Sequence, residues 1–174
     1  MPQTEPWLRG IKSPDLHPAF QPIVDAWAGA LEDCQRYLSG FNDRYLWTKP
    51  AGMASVGFHL EHMRGVIDRL LTYSEQKSLS SEQFRFLQEE GQEKAGISSR
   101  QLLAQLEETI HAGHDRLVGL SNEDMAATRT VGRRQLPSTL IGLCFHSAEH
   151  ITRHTGALIV TARVVPLLHY DHHS

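Results

Sequence analysis

Apolar residues recur at helical spacing in four long stretches of this chain, and no two stretches make a convincing strand pair. Ile23, Trp27, Ala30, Leu31 and Cys34 mark a first helix, from about Pro22 to Leu38. Met63, Val66, Ile67, Leu70 and Leu71 mark a second, which Ser55 can cap and which runs to about Ser74; Glu61, Arg64 and Asp68 stand on its other side. Leu102, Leu103, Leu106, Ile110, Leu117 and Leu120 mark a third, beginning at Ser98 or Ser99. The fourth starts behind Ser138 and runs to about Val165, where Pro166 stops it. A short polar helix, about Glu82 to Glu90, lies between the second and third, and Thr128 to Gly132 reads as an extended piece inside a loop. A proline-rich lead-in precedes the first helix and a polar tail follows the fourth. Four amphipathic helices predict an all-α chain packed as a four-helix bundle in one domain, core about 18–165. The long second and third connections permit an order other than simple up-down-up-down.

Composition narrows the function. A net charge of −3 over 174 residues argues against nucleic-acid binding through bulk charge. Two cysteines, Cys34 and Cys144, cannot form a disulfide scaffold or an all-cysteine zinc site. No apolar run approaches the roughly 20 residues of a membrane span, and Met1 to Arg9 has no apolar signal core, so a cytoplasmic protein without membrane contact is expected. The 11 histidines stand out, because they outnumber the four tyrosines and three tryptophans together.

Five of them fall on two helices. His59 and His62 lie on the second; His146, His150 and His154 follow at intervals of four on the fourth. Residues at i and i+4 share a helix face, so His150 and His154 can aim at one point. His146 and His154 are separated by about 12 Å of helical rise, too far for all three to hold one ion easily. Two ligands from the fourth helix and a third from a facing helix are therefore expected, with coordination positions left open as in catalytic metal sites. A lone H-x-x-x-H pair is more often surface or hydrogen-bonded histidine. A second histidine-bearing helix in so small a bundle raises the weight of the metal reading. Spacing alone leaves the third ligand open and leans toward His59, which sits nearer the middle of the apolar stripe.

The runs Ser55-Val-Gly-Phe-His-Leu-Glu-His-Met-Arg-Gly65 and His146-Ser-Ala-Glu-His-Ile-Thr-Arg-His-Thr-Gly156, with Val131 to Thr139 between them, resemble the DinB/YfiT-like metalloenzyme family over about Pro18 to Val165. The resemblance implies a four-helix bundle in up-down-down-up order, a homodimer, and a divalent ion held by His62, His150 and His154. Zinc or nickel are the first candidates for that ion, with iron or copper behind them. His59 and His146 become neighbours of the site. Glu149 is a candidate to orient a ligand through its second ring nitrogen, or is simply solvated. The resemblance further implies a transferase acting on a low-molecular-weight thiol such as bacillithiol or mycothiol, with the metal deprotonating the thiol. A hydrolase using metal-activated water is the second option, and a non-catalytic metal-binding or dimeric interaction bundle is the competing class. One position departs from the pattern: Ala157 stands where many members carry glutamine. Metal ligation does not need that amide, but any activity that depends on it does not carry over.

The remaining candidates are weaker. Gly132, Arg133 and Arg134 can receive an anionic group or form a solvated loop. Cys144 reads as a small buried residue facing away from the histidines. Trp27, Phe58 and Phe145 read as core. His111, His114, His169, His172 and His173 carry no functional reading.

Overall fold

The computed structural model describes residues 4–10 and 13–169. It is mostly helical, with one two-stranded sheet. The helices are α1 (Gln21–Tyr37), α2 (Val56–Ser74), α3 (Ser81–Glu89), α4 (Ser99–Gly119) and α5 (Leu140–Val164). Side chains close the exposed N–H groups at four of their starts. Ser55 accepts from Phe58 N–H, Thr139 accepts from Gly142 N–H, and Ser80–Gln83 and Ser98–Gln101 form reciprocal capping boxes on α3 and α4.

Helix α2 packs against α5 and α4, and α1 packs against the same two. Their facing stripes form one core, with Phe20, Ile23, Trp27, Leu60, Met63, Ile67, Leu106, Leu117, Leu140 and Ile151 almost fully buried. The proline-rich lead-in joins this core. Pro6–Leu8 and Pro18–Phe20 are 3-10 turns, each opened by its proline, and Leu16 and Phe20 are buried among the helices. No helix among the described residues is long and apolar enough to cross a membrane.

Four expectations from sequence change here. First, Thr128–Val131 (β1) and Leu136–Thr139 (β2) pair as an antiparallel hairpin. Pro137 hid the second strand, but a two-stranded sheet has two free edges, where a missing N–H is tolerated. Second, β2 runs on to Thr139 and α5 starts at Leu140, so Thr139, not Ser138, caps the helix. Third, Glu61 is 2% exposed although it lies opposite the apolar stripe. Gly91 N–H donates to its carboxylate at 2.8 Å, and Lys94 pairs with it; α3 and the turn after it therefore roof the polar side of α2. Fourth, Phe145 is 61% exposed. It lies on the outward stripe of α5 with Glu149, Thr152 and Gly156, four and three residues apart in turn. The polar tail is described only to His169, in a 3-10 turn Leu167–His169, and His172 and His173 lie outside the described residues.

Arg129 fastens the hairpin to the end of α2. It is 4% exposed, donates to the Ser74 carbonyl at 2.6 Å and pairs with Glu123 at 3.1 Å. An Arg129→Ala variant is expected to lose about 1–3 kcal/mol, since it strands a buried carbonyl. Urea unfolding measures this, and a loss limited to a few tenths would show that the hairpin is not fastened there.

Candidate metal centre

Helix α2 brings His59 and His62, and α5 brings His150 and His154, to one seam where the two helices pack. One ring nitrogen from each of His62, His150 and His154 lies within 4.8 Å of the other two. The Nε2 atoms of His62 and His150 are 2.9 Å apart, and the ring of His154 is centred 4.6 Å from each of those two rings. His59, 5% exposed, sets its Nδ1 2.9 Å from Nδ1 of His154. Phe58 stacks on His62 with ring centres 5.0 Å apart and planes 13° from parallel.

The carboxylate of Glu90, at the end of α3, lies 2.7 Å from Nδ1 of His62. An ionised carboxylate only accepts, so His62 donates to it from Nδ1. Arg153 Nη2 only donates, so Nδ1 of His150 accepts from it at 3.2 Å. The neutral His150 ring then carries its proton on Nε2 and donates it to Nε2 of His62. The donor and acceptor directions thus form one consistent chain, Glu90–His62–His150–Arg153.

Glu90 is held by its surroundings. Its side chain is 4% exposed, and Arg69, 10% exposed, donates to its other oxygen at 2.5 Å. Two glycines make the seat. A Cβ at Gly65 would collide with the Glu90 carboxylate, the Arg69 guanidinium and Phe86. Gly91 has φ +76°, and a Cβ there would come within 2.6 Å of Phe58. The Gly91 N–H bond to Glu61 fixes the turn that delivers Glu90 to His62.

Burial, together with neighbouring cationic forms, lowers His59, His150 and His154 from 6.5 to about 4, so these rings are neutral at neutral pH. Neutral imidazoles are the form that ligates metal. A carboxylate on the second nitrogen of a ligating histidine is the usual means of fixing its orientation. The residues thus fit a divalent ion held by His62, His150 and His154, with His59 behind His154 and Glu90 behind His62. His150 joins such a set in its other tautomer, with the proton on Nδ1 and Arg153 turned away.

His146 neighbours the site, its ring centred 5.2 Å from that of His150 and lining the same cavity, whereas Glu149 is placed otherwise. Glu149 pairs with Arg153 at 2.9 Å and with His146 at 3.3 Å, and both Glu149 and His146 are largely exposed. With His150 they make a second, more exposed group able to hold an ion. The carboxylate that reaches a ring nitrogen of His62 is Glu90, not Glu149. Ala157 is exposed beyond His154, with Gly156 open beside it. Cys144 is fully buried against Ser74 Oγ at 3.5 Å. Arg133 sits over the Phe84 ring at 5.9 Å, and Arg134 is exposed. His111 and His114 lie on α4, outside the histidine group. Glu90, Arg69 and Phe58 are the site residues that sequence reasoning missed; the one signal was a glutamate directly before Gly91 at the end of a short helix.

Glu90→Gln is expected to lower zinc affinity about 10–100-fold, measured by competition with a chelating dye. Gly65→Ala should do the same and destabilise the fold by about 1–3 kcal/mol, although alanine favours an ordinary helix position by about 1 kcal/mol. Zinc affinity unchanged in both variants would remove Glu90 from the site. The histidines also fix a pH dependence. Unfolded, they take protons near 6.5; folded, three of them do so only near 4, so the unfolded chain binds more protons between these values. Stability of the metal-free protein is therefore full above pH 6.5 and falls as pH drops toward 4. Urea midpoints across that range measure it, and His59→Gln should flatten the slope.

Comparison of the chain with models of known protein families finds no match, and comparison with curated proteins finds none either.

Proposed function

We propose that this chain is a DinB-like metalloenzyme in which α1, α2, α4 and α5 form a four-helix bundle of up-down-down-up order. In this reading His62, His150 and His154 hold a divalent ion, zinc or nickel in the first place, and the reaction transfers a low-molecular-weight thiol to an electrophile. The observation that carries the reading is the convergence of three half-buried imidazoles from two helices, one of them oriented by a buried carboxylate. Structural zinc sites close their shell with four protein ligands, whereas three leave room for a substrate.

Bound there, a divalent ion supplies Lewis acidity that favours the thiolate form of a thiol substrate. The chain's own residues do the rest. Glu90 keeps the proton of His62 on Nδ1, so that Nε2 points its lone pair into the site. Phe58 covers one face of that ring. A cavity of about 220 Å³ opens beside His62 and His150, walled by Val66, Leu70, Leu79 and Leu87, and suits an apolar substrate part. The chain offers no sulfur nucleophile of its own. Cys34 and Cys144 are fully buried, and burial pushes the Cys34 thiol up to about 12. The sulfur must come from outside.

A second reading, a non-catalytic dimeric bundle, is favoured by the exposed Phe145 and Val160 on the outer face of α5 and by Ala157. One set of measurements separates the two. Purified protein is expected to carry about one equivalent of metal that His150→Ala loses. The metal-loaded parent is expected to conjugate at least one of a panel of thiols to 1-chloro-2,4-dinitrobenzene. Metal retained by His150→Ala would sink the triad. Stoichiometric metal without turnover of thiols, with a dimer by sedimentation that Phe145→Glu splits, would establish the second reading.

A further inference from the structure

The cavity at the histidines shares two lining residues, Tyr73 and Leu79, with a second cavity of about 510 Å³ under β1 and the β1–β2 turn. The two halves differ in chemistry. Beside the histidines the lining is Val66, Leu70, Leu79 and Leu87, with Arg69 committed to Glu90. Under the hairpin the charged lining residues among those described are Lys77, Arg129 and Arg133, with no aspartate or glutamate among them. Arg129 is spent on Ser74 and Glu123, and Lys77 reaches Glu75 at 2.9 Å from an exposed rim. Arg133 makes no ion pair among the described residues and only overlies Phe84 at 5.9 Å.

We infer that the two cavities form one substrate groove, which takes an elongated molecule with an apolar body and an anionic end, carboxylate or phosphate, received by Arg133 with Lys77 beside it. This deepens the metal-centre reading and rests on it for the position of the reacting end. His62, Val66, Leu70 and Tyr73 follow one face of α2 at intervals of four, four and three. The eleven steps from His62 to Tyr73 rise about 16 Å, so the body must be about that long to bring its anion to the hairpin. The geometry selects by charge and by length. A cationic end meets three cations, and a short acid cannot reach from the histidines to Arg133.

Dodecanoate is the probe, titrated calorimetrically into the metal-free, full-length protein. It is expected to bind at least about tenfold more tightly than butyrate or dodecyltrimethylammonium, the worth of one charge-assisted contact. Arg133→Glu should weaken it about tenfold or more. Leu70→Asp should abolish binding. In spectra of the parent, the ring signals of His62 and His150 should shift together with those of the Arg133 side chain as dodecanoate is added. No binding, equal binding of the cationic probe, or an unaffected Arg133→Glu variant each overturns the inference. Histidine signals that stay still while dodecanoate binds also overturn it, because the cavities are then separate. Zinc uptake is measured on the same preparations without dodecanoate. A parent that takes up zinc but no dodecanoate loses only the groove, and one that binds dodecanoate but no zinc loses only the metal reading.

Discussion

The Glu90 carboxylate lies between Arg69 and His62 with almost no contact with water. A buried carboxylate is costly unless its oxygens are met by donors. Here both are met, one by a permanent cation and one by an imidazole N–H. Removing either partner leaves a buried, undercompensated charge, so the arrangement holds as a unit or not at all. Much of the site's local structure serves it. Gly65 makes room on α2, Gly91 turns the chain back after α3, and Glu61 grips the turn through the Gly91 N–H. The cost of burying an acid is offset by a fixed direction for the His62 lone pair.

That constraint also explains why α3 is present. Its main packing partner is α2, and it buries no residue fully. It adds little to the core stripes. It carries Phe86 under Arg64 and brings its C-terminal end to the histidines. A bundle of the four long helices would bring the imidazoles together, but nothing in their stripes would fix which nitrogen of His62 faces inward. The short polar helix and the glycine after it supply that.

The long helices were legible because their signal is redundant. Each stripe repeats over several turns, and the starts of α2, α4 and α5 each have a hydroxyl to close them, so boundaries shifted by only a residue or two. The i, i+4 spacing of His150 and His154 was legible for the same reason. Glu90 was not, since a single glutamate on a polar helix looks solvated until the fold sets it against Arg69. Glu61 and Phe145 were misplaced in opposite directions. Both follow from what covers a helix face, which periodicity on the helix itself does not contain: α3 and the turn after it roof Glu61, and among the described residues no element covers Phe145. The hairpin was hidden by Pro137, which weakens a strand pattern without forbidding an edge.

The same hydrogen bonds that order the histidines also oppose the ion they suit. In the chain from Glu90 to Arg153, the inward nitrogen of His150 carries a proton, because Arg153 donates to its outward one. That nitrogen must give up its proton before it can ligate, and the outward nitrogen can take the proton only when Arg153 swings to Glu149, with which it already pairs at 2.9 Å. Glu149 therefore bears on the site through Arg153, and not through a ring nitrogen of His62, His150 or His154. The desolvation that keeps His59, His150 and His154 neutral acts in the other direction, since it removes competition from protons at neutral pH. The balance sits at His150, which is turned partly to solvent while His59 is sealed. The histidine whose tautomer must change before it could ligate is thus the one with a route for the proton to leave, whereas the residues that fix direction, His59 and Glu90, lie in the dry interior, where their hydrogen bonds are strongest.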